Sequence, residues 1–236
     1  MKKYSIYLLL LSFWFSNAQD VNDIIEKSVK FYDTQVSYKL EVSYKMFYTH
    51  DAKTPNEQIA GIAIKRNDDV FVKQAKTSQI YNKSKDYVLK VFDNEKIIKV
   101  TPISKSQSLP DQVAIIKDFI KYFKDKTVKD LGSYYLCTLS SGAVTPIPYG
   151  KVELYINKKD YSIQKQVMYM LSQHTFKNEK GEQQVGNPRM EVELKSYTNK
   201  LSQQDIAAID LTTYMNKRGK TFEASNDYKG YKIYVQ

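Results

Sequence analysis

Two histidines, one cysteine and a few spaced acids are the residues of this chain to weigh first for metal or acid–base chemistry. His50 stands beside Asp51, and a histidine next to a carboxylate is the smallest unit of an acid–base pair. Neighbours on an extended chain point to opposite sides, so adjacency in sequence does not bring the two together. His174 lies far along the chain with no local partner. A zinc site needs three or four ligands at close spacing, and Cys137 with two isolated histidines does not provide them. Glu191 and Glu193 are two residues apart, so on a strand they share a face and could form a carboxylate pair. Arg189 and Lys195 flank them on that face and mark it as an ordinary charged exterior. No serine sits in a Gly-x-Ser-x-Gly elbow. With eight glycines in the whole chain, no glycine-rich phosphate loop is present. These residues imply no metal, no cofactor and no catalytic centre, and the reading is a non-enzymatic protein. Cys137 sits in the strand-like run Tyr134 to Leu139 and reads as a buried structural thiol. A single cysteine builds no disulfide framework.

What remains is an apolar surface. Val36, Tyr38, Leu40, Val42, Tyr44, Met46 and Tyr48 occupy alternate positions, with mostly polar residues between them. Alternation at period two predicts one long strand with a greasy side and a wet side. Thirteen residues at roughly 3.3 Å each would span about 40 Å. So long a strand twists, and it predicts a strongly curved sheet wrapped around a core or a cavity. Lys39 belongs to the wet side, and its replacement by aspartate is expected to be harmless.

The elements around that strand follow from periodicity and turn chemistry. Asn22–Tyr32 reads as an amphipathic helix capped by Asp20 or Asn22. After Thr54-Pro55-Asn56 come short strands at Gln58–Lys65, Val70–Ala75, Ser78–Asn82, Tyr87–Phe92 and Lys96–Thr101, an antiparallel meander. Ser108 and Asp111 have capping-box spacing. They predict a helix from Asp111 to about Lys126 with Ile116 and Phe119 on its apolar face. Further strands are expected at Tyr134–Leu139, Lys151–Ile156, Ser162–Leu171 and Met190–Tyr197, and a short helix capped near Ser202. The tail from Tyr228 to Val235 returns as a strand. The fold class is therefore α+β: a strongly curved antiparallel sheet, an incomplete barrel, with two or three covering helices. Nothing in the pattern divides it, so residues 19–236 are expected to form a single domain.

The first residues add an address. Lys2 and Lys3, the apolar run Tyr4 to Phe15 and the small-residue close Ser16-Asn17-Ala18 predict a secretory signal peptide over residues 1–18. Cleavage near Ala18 would place the protein in the periplasm or outside the cell. The formal charge is +10, but the lysines are scattered along strands and turns. That pattern suits a lysine-rich exterior rather than a nucleic-acid site, and it is compatible with peripheral contact with a membrane.

The order of these elements resembles the periplasmic lipoprotein-carrier family with the LolA/LolB-like fold. The resemblance rests on the helix Asn22–Tyr32 and the long strand Val36–Tyr48, followed by the strand-turn-strand "GIAIKRNDDVFVKQ" from Gly61. The mid-chain helix and the hairpin "KVELYINKKDYSIQKQVMY" from Lys151 complete it. The resemblance implies a half-barrel with helices lidding a hydrophobic cavity for acyl chains. Its expected lining is Tyr38, Leu40, Val42, Tyr44 and Met46 on one wall and Val167, Tyr169 and Leu171 on another. Ile116 and Phe119 would come from the covering helix. A lipid or acylated lipoprotein is the implied partner. The alternative is a structural or protein-interaction component of the envelope that uses the same fold with a filled core.

Overall fold

Asp20 caps the first helix by accepting the backbone N–H of Asn22 at 2.9 Å. From there α1 runs Val21–Asp33 and buries Val21, Ile24, Ile25, Ser28 and Tyr32 along one face. The computed structural model describes residues 20–103, 120–142, 144–177, 180–219 and 221–235. The expected signal peptide and most of the helix expected from Asp111, including Ile116 and Phe119, lie outside the described residues.

Strand β1 (Ser37–Phe47) follows α1 and is the spine of the molecule. On one side it pairs with β2 (Glu57–Arg66), and a meander continues through β3 (Asp69–Gln74), β4 (Thr77–Asn82), β5 (Tyr87–Phe92) and β6 (Ile97–Pro102). On its other side β1 pairs antiparallel with β13 (Arg189–Thr198). The sheet then runs through β10 (Ile163–Met170), β9 (Tyr149–Asn157), β8 (Tyr134–Ser141) and β7 (Phe123–Asp130). A short last strand, β16 (Lys232–Val235), adds to β6 in parallel. Together these make one sheet of 12 strands in the order β16-β6-β5-β4-β3-β2-β1-β13-β10-β9-β8-β7. Its two end strands do not pair with each other among the described residues, so the sheet stays open. Two small hairpins stand apart from it, β11–β12 (His174–Lys177 with Gln183–Gly186) and β14–β15 (Met215–Arg218 with Thr221–Ala224).

The long strand and the meander are where the sequence puts them, and the tail returns as a strand only over Lys232–Val235, because Asn226–Tyr228 forms a 3-10 turn. Two expectations need correction. Residues 123–126, expected as the end of a helix, begin β7 instead. This edge strand buries only Phe123, so its sequence carries no alternating stripe, and backbone pairing with β8 holds it. Two α-helices are present among the described residues, and only α1 covers the face bearing Tyr38 and Leu40. The other, α2 (Gln203–Ile209), opens with a capping box between Ser202 and Asp205. It packs through Ile209 on the opposite face, in a core with Ile64, Phe71, Ile80, Leu89 and Val100. Ile64 is the register partner of Lys39. The side of the sheet expected to be wet is therefore a second core over the meander.

The two halves of the sheet thus bury opposite faces. Over β7–β10, the inner face carries Tyr135, Cys137, Leu154 and Ile156 and packs under α1. Tyr32 fixes the helix there by accepting the backbone N–H of Ile163 at 3.0 Å. Cys137 is fully buried, as its sequence setting predicts, and burial pushes its thiol up to about 12.

Candidate functional site

The inner face of β1 opens onto a cavity of about 520 Å³. That size falls in the range of roughly 300–1,000 Å³ typical of small-molecule sites. Cross-strand register assembles its walls. Leu40 faces Ala63 on β2, which faces Val72 on β3, which faces Gln79 on β4. Tyr44 faces Ile59 on one side and Val192 on the other, and Val192 faces Gln166 on β10. Met46 faces Met190, which faces Met168. All of these side chains line the cavity, together with Tyr32, Tyr38 and Tyr149. Strands β1, β2, β3, β4, β9, β10 and β13 all contribute, which is what curvature of the sheet does for the site. Burial raises the Tyr149 hydroxyl above its ordinary range, so it stays neutral.

Of the residues expected from the sequence, Tyr38, Leu40, Tyr44 and Met46 lie on this wall. Val42 shares their face but is packed into the core with α1 at 3% exposure. The second expected wall needs correction. Val167 and Tyr169 point to the other side of the sheet, where Val167 faces Glu191 and Glu153. The Tyr169 hydroxyl donates to Glu153 at 3.2 Å, and the Lys151 ammonium lies 3.8 Å from its ring centre. Leu171 lies past the end of β10, 49% exposed and against Gly150. The cause is a bulge. The ladder between β10 and β9 shifts between Ile163 and Lys165. Ile163 faces in, and beyond the bulge Gln166 and Met168 face in instead of the odd-numbered row. A one-residue slip moves every later side chain to the opposite face. The row Met190, Val192 and Leu194 is a readable apolar stripe on β13, and register with β1 is what assigns it to the cavity.

The residues weighed for chemistry do not converge. The His50 Nε2 sits 3.2 Å from the Met170 carbonyl, and His174 lies against Ser172 at 3.2 Å. Among the described residues there is no group of three or more histidine, cysteine, aspartate or glutamate side chains placed to hold a metal. Glu193 is paired with Lys45 at 2.8 Å and with Lys195 at 2.5 Å, and these lysines hold its carboxyl down at about 2. Glu191 is paired with Lys165 at 2.6 Å and Arg189 at 3.1 Å. Both acids are committed to an ion-pair lattice on the outer face.

Several solved structures resemble this chain over most of its length at low sequence identity. A solved LolA superfamily protein from Nitrosomonas europaea aligns over 80% of this chain and 97% of its own, at 15% identity and a TM-score of 0.28. A DUF1329 family protein from Desulfovibrio piger aligns over 82% of this chain and 98% of its own, at 10% identity and a TM-score of 0.40. The Pseudomonas aeruginosa MucA/MucB complex gives 9% identity and a TM-score of 0.42 over 79% of this chain and 60% of that one. No family model matches the sequence. No curated protein matches it either.

Proposed function

We propose that this chain is an exported, non-enzymatic binding protein that holds a lipid or acyl chain against the inner face of its half-barrel. The observation that carries this reading is the cavity. About 520 Å³ of space is walled mainly by Leu, Ile, Val, Met and Tyr side chains from seven strands. An apolar chain entering it is driven by burial of its methylenes, each contributing about 0.8 kcal/mol. The tyrosines offer rings to the chain and hydroxyls to its polar end. Export rests on the amino-terminal pattern of charge, apolar run and small residues.

Native mass spectrometry of the protein purified from its own cell envelope, with organic extraction of anything bound, tests the reading. A co-purifying acylated molecule is the expected result. A clean apo mass, together with no uptake of a fluorescent fatty acid, would instead favour an envelope interaction component.

A further inference from the structure

The polar groups that touch the cavity divide into those already engaged and those free. Lys45 is tied to Glu193 at 2.8 Å on the outer side. Glu57 accepts the Tyr48 hydroxyl at 2.9 Å. Lys65 lies at the C-terminal end of α1, 3.5 Å from the Tyr32 carbonyl and over the Tyr38 ring. Such a helix end favours a cation. Gln166 is different. It is 6% exposed and lines the cavity, and its side-chain amide has no hydrogen-bond partner among the described residues. The buried polar atoms sealed away without a partner are Ser28 Oγ and Arg189 Nε, and the Gln166 amide is not among them. It therefore reaches the open space of the cavity. Gln74 and Gln79, on β3 and β4, are further carboxamides of the lining without a partner among the described residues, but both are more exposed than Gln166.

An amide held in a mostly buried side chain yet open to the cavity is available to a polar group of a ligand, and one that matches it gains a hydrogen bond where one that does not leaves it unpaired on binding. Its surroundings define what would satisfy it. Tyr44 and Val192 lie on its own row, and Met46, Met190 and Met168 form the next row. Three thioether side chains in cross-strand succession make a deformable wall for an irregular apolar chain. The free polar group thus sits within apolar surface and is neutral.

Resting on the acyl-binding reading above, we propose that the preferred ligand is an acyl chain bearing a neutral secondary amide, with Gln166 as the specificity-determining residue. A carboxamide offers one acceptor and two donors. An N-acyl linkage returns one donor and one acceptor, so both halves of the glutamine can be matched at once. An ester answers only the N–H side. A carboxylate beside Gln166 would have to give up its hydration among methionine and valine side chains, and the Lys45 ammonium is already held by Glu193.

Binding of three probes of one chain length decides the matter: N-methyldodecanamide, methyl dodecanoate and dodecanoate. Each is titrated into the wild-type protein and Gln166→Met by displacement of a fluorescent fatty acid. The wild type should hold the amide about five- to tenfold more tightly than the ester, the worth of one hydrogen bond. Gln166→Met should lose that preference while still binding the ester. Equal wild-type affinity for amide and ester, or a preference that survives Gln166→Met, overturns the proposal and leaves the acyl-binding reading intact. Failure of the wild type to bind all three overturns both. The wild-type comparison stands alone if the variant does not fold.

Discussion

Gln166 and Val167 are adjacent and have opposite roles, which makes the cavity wall testable one residue at a time. A carboxylate placed at Tyr44 or Met190 would sit among apolar side chains and must be desolvated beside any apolar ligand. Tyr44→Asp and Met190→Asp are therefore expected to weaken binding of a fluorescent fatty acid by about tenfold or more. Tyr169→Phe on the outer face should leave it unchanged. Equal loss from Tyr169→Phe would mean that the face assignment of β10 is wrong. Two further side chains report on folding. Cys137 is fully buried with its thiol pushed up to about 12. It should resist a thiol reagent at neutral pH in the native protein and react once urea unfolds the chain. Glu193 is held at about 2 by Lys195 and Lys45, against an ordinary 4.5. A carboxyl lowered on folding stabilises the protein above its unfolded value, and that contribution is lost as pH falls through the folded one. Stability should thus decline between about pH 4.5 and pH 2, and Glu193→Gln should flatten that limb in urea melts.

At the scale of elements, α2 shows why Lys39 is not the idle residue its place on the polar side of β1 suggests. Its ammonium lies 3.0 Å from Asp205, and the two side chains are only 24% and 10% exposed. Asp205 also closes the capping box with Ser202. Burial opposes its charge, but hydrogen bonds from Ser202 and Lys39 outweigh that and keep the carboxyl below the usual range. Lys39→Asp would set two carboxylates together beneath the helix. Asp205→Ala should cost about 1–2 kcal/mol, the worth of a lost cap. A lower urea midpoint for both variants with fatty-acid binding retained is the expected outcome, because α2 lies on the face away from the cavity. The same case shows what the sequence carries. Strong alternation made β1, the meander and β13 legible, and the Ser202 capping signal made α2 legible. None of these says which face a helix will cover, because Ile64, Phe71 and Ile80 alternate out of phase with the inward row and only pairing reveals it. The second cavity wall is hidden from the sequence for a related reason: bulges leave no mark in composition, and both parities of β10 carry apolar residues.

At the scale of the whole molecule, an open sheet must protect two edges. On one side β7 is lined with lysines, a device that discourages further pairing. The other edge would be β6, whose Ile98 and Val100 are fully buried. There the chain supplies its own cover. Its tail returns in parallel as β16, pairing Ile233 with Ile98 and Val235 with Val100. Tyr231 follows the turn begun at Tyr228, with rings 4.9 Å apart, and Ile233 packs onto the second core. The cover is only four residues long and carries Lys232, so it makes a poor template in its turn. Deleting the chain from Lys229 onward should expose β6 without touching β1, β2, β3, β10 or β13, which form most of the cavity wall. The truncated protein is then expected to self-associate in size-exclusion chromatography, and its monomeric fraction should still take up a fluorescent fatty acid. Loss of uptake from a monomer that remains folded would show that the tail shapes the cavity. A truncated chain that stays monomeric and melts like the full one would show that β6 needs no cover, leaving the parallel strand without a protective role.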